Sequence, residues 1–210
     1  MGPRLSEEFY LYGPSTRFQR FALRLMHLIG WTASSKPPPA PKGIIIVYPH
    51  TSNWDFVYGV LFKFATAMEA RFLAKASLFR TPLGPWFRRL GGISVDRREP
   101  QGFIAKLLEE FATSPSMWLV ITVEGTRGYT DHWKSGFYQI AVAGKLPVGM
   151  GYIDYGRRSV GVDTYMYMTG DRDSDMQVIR NFYADKRGRR PEWAGEIRLR
   201  EGREIPAEEP

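Results

Sequence analysis

The sequence contains no cysteine and no long uninterrupted apolar run. Without cysteine, the chain forms no disulfide and has neither a thiolate metal ligand nor a cysteine nucleophile. No stretch reaches the roughly 18 apolar residues that a membrane-spanning helix needs. Glu7 and Glu8 lie near the start, and no apolar core precedes a small-residue cleavage site, so we expect no secretory signal peptide. The sequence also lacks the G-x-S-x-G motif of serine hydrolases.

The chain instead has ample apolar content and a positive net charge. Its 210 residues are 43% hydrophobic and 14% aromatic, which is sufficient for one domain with a buried core. The formal net charge is +7. A basic surplus of this kind serves nucleic acid, anionic lipid or phosphorylated substrates, and charge alone does not distinguish among them.

Residues 16–31 have an amphipathic helical pattern. At about 100° per residue, one face is apolar, and a basic stripe runs beside it. The apolar face comprises Phe18, Phe21, Ala22, Leu25 and Ile29, and the stripe comprises Arg17, Arg20, Arg24 and His27. The pattern is typical of a helix lying in the membrane interface, but an ordinary helix that faces a protein core gives the same pattern.

Residues 34–42 are rich in proline and serine and are interpreted as a linker. Strands and helices then alternate, which predicts a layered α/β domain with a mixed sheet flanked by helices. We expect strands at residues 44–48, 71–74, 93–96, 117–123, 146–153 and 160–168, helices at 53–68, 85–90, 102–112, 136–143 and 175–184, and an edge strand at 197–199. The predicted organisation is an N-terminal amphipathic segment and linker at residues 1–42, an α/β domain at 43–203 and a disordered tail at 204–210.

His50 follows the first predicted central strand, and four residues separate it from Asp55. In open α/β sheets, sites form beyond the carboxyl ends of the strands. Neutral imidazole can accept a hydroxyl proton near neutral pH, and a carboxylate on its other ring nitrogen would orient it. Asp55 also fits position N3 of a capping box that begins at Ser52, which would give it a purely structural role.

A second group of polar residues follows the strand at residues 117–123. Glu124, Gly125, Thr126 and Arg127 form a turn in which the arginine fork and the backbone N–H groups suit a phosphate. A simple salt bridge at the end of the strand is the alternative. Two further cations follow predicted strands, Lys75 and Arg97. Each alone is typical of a solvated surface, but together they indicate a site for an anionic substrate.

The two motifs resemble those of the glycerolipid acyltransferases, which include the 1-acylglycerol-3-phosphate acyltransferases. His50 and Asp55 match the His-x4-Asp motif of that family, and residues 124–127 match its Glu-Gly-Thr-Arg signature. Residues 74–79, 91–97 and 146–148 resemble further blocks of the family, in the family's order, and the resemblance covers roughly residues 43–155. Pro49 and Val123 stand where many members have asparagine and proline.

The resemblance implies an acyltransferase fold and a set of roles. His50 would be the general base, Asp55 would orient it, and Glu124 would position Arg127 or a substrate hydroxyl. Arg127, with Lys75 and Arg97, would hold the phosphate of a lysophospholipid or related glycerol phosphate. The acyl donor would be acyl-CoA or acyl carrier protein, with no metal and no other cofactor. The resemblance also favours peripheral attachment of residues 16–31 to the cytoplasmic face of a membrane.

Three other functions are compatible with parts of the sequence. His50, Asp55 and Glu124 could be the ligands of a metallohydrolase, although His27 and His132 do not have ligand-like spacing. The net charge is compatible with a nucleic-acid-binding module, but no recognised nucleic-acid motif accompanies it. A catalytically inactive relative that only binds lipid is the third possibility, and the intact His50 and Asp55 argue against it.

Overall fold

A computed structural model of the chain describes residues 9–14, 16–95 and 100–200. The helices are α1 (Arg17–Leu28), α2 (Trp54–Thr66), α3 (Ala76–Phe79), α4 (Gly84–Arg89), α5 (Pro100–Thr113), α6 (Gly136–Ala143) and α7 (Arg172–Tyr183), followed by a 3-10 turn at Pro191–Trp193. The strands are β1 (Thr32–Ser35), β2 (Lys42–Val47), β3 (Ala70–Lys75), β4 (Gly92–Val95), β5 (Met117–Thr122), β6 (Pro147–Asp154) and β7 (Ser159–Tyr167).

Within the described ranges, the strands form one seven-stranded sheet in the order β1-β7-β6-β2-β5-β3-β4. The strands from β6 to β4 in this order are parallel to one another, whereas β7 is antiparallel to β6. β1 is parallel to β7, with Thr32 opposite Ser159. The carboxyl ends of β2, β3, β4, β5 and β6 therefore lie at one edge of the sheet, where β7 and β1 begin. We call this the carboxyl edge.

Helices cover both faces of the sheet. Neighbouring residues of the central strands point to opposite sides and are apolar, so both faces must be buried. Ile44 and Ile46 of β2 pack in one apolar cluster with residues of α5, α6 and α7, such as Phe111 and Ile179. Ile45 packs in a second cluster with residues of α1 and α2. The predicted layered α/β fold is thereby confirmed.

Two predictions about the chain's connections are wrong. Residues 34 and 35 are not linker, because they belong to β1, which pairs with β7 at the end of the sheet. The region before residue 42 therefore contributes a strand to the same sheet as the rest of the domain. Residues 197–199 do not form an edge strand, because only an isolated bridge joins Leu199 to Trp133, outside the named strands. The tail at 204–210 lies outside the described residues.

α1 has three faces rather than the two that the periodicity predicts. Its core face carries Gln19, Ala22 and Met26, which are buried, so Ala22 belongs to the core and not to the apolar surface. An apolar strip beside this face remains at the surface, where Phe21 and Leu28 are 59% and 80% exposed. The remaining members of this α1 strip are Phe18, Leu25 and Ile29. The basic stripe of Arg17, Arg20, Arg24 and His27 is exposed on the strip's other side.

Candidate active site

The carboxyl edge brings together most of the polar residues that the sequence singled out. His50 follows β2, Glu124 follows β5, and Lys75 ends β3. β2 lies between β6 and β5, so His50 is central at this edge and Lys75 lies farther along it. Arg97 follows β4 in the sequence, but residues 96–99 lie outside the described residues.

His50 and Asp55 are in contact. Nδ1 of His50 lies 3.1 Å from Oδ2 of Asp55, and both side chains are almost fully buried. The carboxylate oxygen sits off the direction of the ring N–H, so the contact is at ion-pair distance without linear hydrogen-bond geometry. With Nδ1 turned to Asp55, Nε2 is the nitrogen left for a substrate proton.

Asp55 also holds the backbone that carries His50. Its Oδ2 accepts a hydrogen bond from the Ser52 backbone N–H at 2.9 Å, and Ser52 Oγ accepts one from Trp54 N–H at 3.2 Å. The formal N-cap residue Asn53 makes no side-chain capping bond. The capping and orienting interpretations of Asp55 are therefore compatible, because Oδ2 contacts both the His50 ring and the Ser52 N–H.

Tyr155 is a residue of the site that the sequence reasoning missed. Its hydroxyl donates to Oδ1 of Asp55 at 2.7 Å, on the opposite oxygen from His50. Burial, followed by the interaction with Asp55, raises the pKa of Tyr155 well above its ordinary value, so the hydroxyl keeps its proton. The ring contacts Trp31 and Tyr58. The sequence signal that could have identified Tyr155 is its position directly after β6, because β6 ends at the same edge as β2 and β5.

Glu124 ties two backbone segments together and makes no described bond to Arg127. Its Oε2 accepts from the His50 N–H at 2.7 Å, and its Oε1 accepts from the Gly195 N–H at 2.9 Å. The residue is 2% exposed, and burial raises the pKa of its carboxyl to about 7. Glu124 therefore fixes the position of the His50 main chain, which the expected role for it did not include.

The turn after Glu124 leaves its cation at the surface. Gly125 has a φ of +65°, a left-handed conformation that favours glycine. The Gly125 N–H donates to Thr122 O, and the Gly128 N–H donates to Thr126 Oγ1, so these two amides are already engaged. Arg127 and Lys75 are exposed, and neither has a carboxylate partner in the part of the chain that the structure describes. Both cations are available to an anion.

The segment of residues 186–200, here called the strap, crosses the carboxyl edge after α7. Near β6, Arg187 N–H donates to Asp154 Oδ1. Beyond β2, Arg190 N–H donates to Thr51 Oγ1 at 3.1 Å. Beyond β5, Gly195 bonds to Glu124 as described above. The sequence showed the basic residues of this segment, but nothing in its pattern placed them beside His50.

Comparisons with known proteins agree with this architecture. The family model described as Acyltransferase matches residues 33–150. A solved structure, the 1-acyl-sn-glycerophosphate (LPA) acyltransferase PlsC from Thermotoga maritima, is similar in fold, with a TM-score of 0.52 and 18% sequence identity. The match covers 80% of this chain and 77% of that one. No curated protein sequence matches the chain. The chain belongs to the Acyltransferase family, as the two motifs predict.

The metallohydrolase alternative depends on a different arrangement of the same residues. Among the residues that the structure describes, no group of three histidine, aspartate or glutamate side chains is placed to hold a metal ion. Both oxygens of Glu124 instead face backbone N–H groups. The geometry at this edge matches a base with an orienting carboxylate.

Proposed function

We propose that this acyltransferase moves a fatty acyl group from an acyl thioester to the hydroxyl of a lysophospholipid or a related glycerol phosphate, with His50 as general base. The observation that carries the proposal is the His50–Asp55 contact at the carboxyl edge, in a chain that belongs to the Acyltransferase family. The similarity in fold to a 1-acyl-sn-glycerophosphate acyltransferase supports the acceptor class.

The reaction needs one base and no covalent enzyme intermediate. Nε2 of His50 takes the proton of the acceptor hydroxyl while the hydroxyl oxygen attacks the thioester carbon. The carbon–sulfur bond then breaks, and the proton leaves on the thiol. Asp55 stabilises the imidazolium that forms between the two events. Tyr155 and Ser52 N–H hold Asp55 through the hydrogen bonds described above.

Recognition of the acceptor's phosphate falls to the cations at the carboxyl edge. Arg127 is the principal candidate because its planar fork binds phosphate in a bidentate manner. Lys75 and Arg97 are proposed to assist, and Thr126 offers an exposed hydroxyl in the same turn. Because the Gly125 and Gly128 amides are engaged within the turn, side chains rather than those two amides would make the contact.

The α1 strip supports attachment to a membrane surface. An exposed apolar strip flanked by arginines fits the boundary between headgroups and acyl chains, where anionic lipid attracts each basic residue by about 1 kcal/mol. No helix in the described part of the chain is long and apolar enough to cross a membrane. We propose peripheral binding, with the cytoplasmic face as the expected side.

The test is turnover with defined substrates. Purified protein is incubated with labelled acyl-CoA, or with acyl carrier protein, and a panel of lysophospholipids and glycerol 3-phosphate, and the products are identified by mass spectrometry. His50→Ala should lower turnover by about 10²–10⁴ while the melting temperature is retained, since it removes only the base. Near-normal turnover in this variant, or no acyl transfer by the wild type to any hydroxyl, would refute the proposal.

A second test asks whether Arg127 binds the phosphate of the acceptor. Arg127→Lys keeps the charge but loses the fork, so KM should rise for a phosphorylated acceptor and not for the acyl donor. An acceptor alcohol without phosphate is the matched control. Equal losses on both acceptors would show that Arg127 serves the donor or the fold instead.

A further inference from the structure

Two arginines of the strap each lie over an indole ring, one from α2 and one from the strap itself. Arg189 lies over the ring of Trp54 at 5.9 Å from its centroid, and Arg190 lies over Trp193 at 4.0 Å. Trp54 and Trp193 are 52% and 36% exposed. Neither arginine has a carboxylate partner within the described ranges. The expected acceptor contacts make no use of this surface, which we call the strap platform.

The strap platform is held in place rather than carried on a loose tail. Arg190 N–H is bonded to Thr51, the residue next to His50, and Gly188 packs so tightly that a Cβ would meet Thr51 Oγ1 at 2.7 Å. On the other side of the arginines, Tyr48 Oη donates to Gly195 O at 2.8 Å. The backbone of the strap platform is therefore fixed to the two segments that flank the catalytic histidine.

The strap platform lies next to Thr51 and continues towards Glu124, and it is distinct from the cations expected to hold the acceptor. The strap reaches Thr51 from the β6 side, where Arg187 N–H is bonded to Asp154. Lys75 ends β3, two strands farther along the sheet from β2. A transfer between a thioester of CoA and a phosphorylated alcohol brings two phosphorylated molecules to one base. Such a reaction needs cations for both molecules, and Arg189 and Arg190 are cations that the expected acceptor contacts leave unused.

We propose that the strap platform binds the phosphorylated nucleotide end of acyl-CoA, through Arg189 and Arg190 on the phosphates and Trp54 and Trp193 on the adenine. This rests on the proposed function and assigns one of its two possible donors. Stacking on an indole holds a guanidinium flat and leaves its N–H edge free for phosphate oxygens. An exposed indole face also stacks on a nucleobase. An acidic carrier protein could use the charges, but it would have no need of the flat rings.

The test measures binding without turnover. Isothermal titration and tryptophan fluorescence follow CoA, 3′-dephospho-CoA and adenosine 3′,5′-bisphosphate on the wild type and on Arg189→Ala/Arg190→Ala. The wild type should bind CoA more tightly than 3′-dephospho-CoA. The double variant should bind CoA about tenfold more weakly or worse and lose most of that difference, because charge-assisted hydrogen bonds are removed. Its KM for the phosphorylated acceptor should stay unchanged.

A matched control removes the same charge elsewhere. Lys106 on α5 and Arg172 at the start of α7 are exposed, and α7 starts after the end of β7 that lies away from the carboxyl edge. Lys106→Ala/Arg172→Ala should therefore bind CoA as the wild type does. Arg189→Lys/Arg190→Lys keeps the charge and should retain part of the affinity if the Ala variant melts early.

Several outcomes would overturn the inference. They are wild-type protein that does not bind CoA, a double variant that binds it normally, or equal weakening in the control variant. Loss of rate only with acyl carrier protein as donor would assign the strap platform to that protein instead. Wild-type protein that binds CoA in the expected manner but transfers no acyl group would leave the strap platform standing and would refute the proposed function.

Discussion

The carboxylate of Asp55 serves His50, Ser52 and Tyr155 at the same time. In the proposed mechanism this carboxylate orients the imidazole, and it also accepts from the Ser52 N–H at the start of α2. The two roles predict different losses when the residue is changed. The proposed catalytic role depends on the negative charge, whereas the cap needs only an acceptor oxygen.

Asp55→Asn should therefore lower kcat strongly and the melting temperature modestly. The amide keeps an acceptor for Ser52 N–H but no longer stabilises the imidazolium. Turnover and thermal melts of the same preparation separate the two losses. If the variant melted earlier and turned over normally, Asp55 would be a capping residue only.

Tyr155→Phe should lower kcat by about tenfold and leave KM unchanged, because a hydrogen bond to a charged group contributes about 1.5–3 kcal/mol. The phenyl ring keeps the contacts with Trp31 and Tyr58, so the fold should be retained. Tyr58→Phe is the matched control, since that ring lies in the same cluster and no bond is described for its hydroxyl. Equal loss in both variants, or a loss expressed in KM, would argue against Tyr155 as a positioning residue.

At the residue scale, the sequence was sufficient for the motif residues and insufficient for their partners. His50 and Asp55 are close in the chain, so a strand end and a helix start bring them together without long-range information. Tyr155 and Gly195 reach the site only through the order of strands and the path of the strap. Periodicity describes neither, which explains why the sequence predicts Arg127 or a substrate hydroxyl as the partner of Glu124 and not backbone N–H groups.

At the scale of elements, the helices and strands of the central domain follow the apolar pattern, and the N-terminal region departs from it. β1 has the sequence Thr-Ala-Ser-Ser, followed by prolines, which is typical of a loop. β1 is nevertheless a strand because β7 supplies hydrogen-bond partners for its backbone, which its own composition does not predict. The prediction of only two faces for α1 was wrong because the buried face includes a polar residue, Gln19, which forms a capping box with Thr16.

The α1 strip makes a prediction at this scale. Phe21→Ser/Leu28→Ser/Ile29→Ser should release the protein from anionic liposomes in a flotation assay, because these side chains are exposed and contribute little to the core. Melting temperature and activity on a short-chain soluble acceptor should be retained, whereas activity on bilayer substrate should fall. Binding by the wild type should weaken with salt, because charges at the surface are screened over roughly 8–10 Å.

The matched control changes exposed apolar residues on other elements. Val142→Ser/Tyr167→Ser/Val178→Ser removes comparable surface from α6, β7 and α7 and should leave flotation unchanged. A folded α1 variant that still floats with liposomes would exclude the strip as the membrane contact. Joint loss of folding and both activities would mean that the strip packs against protein.

At the scale of the whole molecule, Glu124 joins the strap to the sheet. Burial raises the pKa of its carboxyl from 4.5 to about 7, so the folded state retains a proton that the unfolded state has lost between these pH values. The contribution of Glu124 to the free energy of unfolding is therefore complete below pH 4.5 and is lost as pH rises through about 7. The total loss is roughly 3 kcal/mol at most.

Glu124→Gln should remove this pH dependence. The glutamine oxygen can accept from only one of the two N–H groups, so the variant should be less stable than wild type at pH 5 by about 1–3 kcal/mol. This difference in unfolding free energy should narrow towards pH 8, because the wild type then holds a buried charge and is itself less stable. Denaturant unfolding at several pH values measures it. Glu192 is an exposed strap residue, so the unfolding free energy of Glu192→Gln should change with pH as that of the wild type does. If Glu124→Gln also followed the wild-type pH dependence, the carboxyl of Glu124 would have an ordinary pKa.

The antiparallel turn between β6 and β7 has a consequence for how substrate is supplied. Because it makes β1 start at the carboxyl edge, α1 ends there too, and Trp31 stacks on Tyr58 within a few residues of the α1 strip. An enzyme resting on a bilayer through that strip would receive its lipid acceptor by lateral diffusion in two dimensions. Its rate would then follow the mole fraction of acceptor in the surface and not the amount of lipid in the suspension.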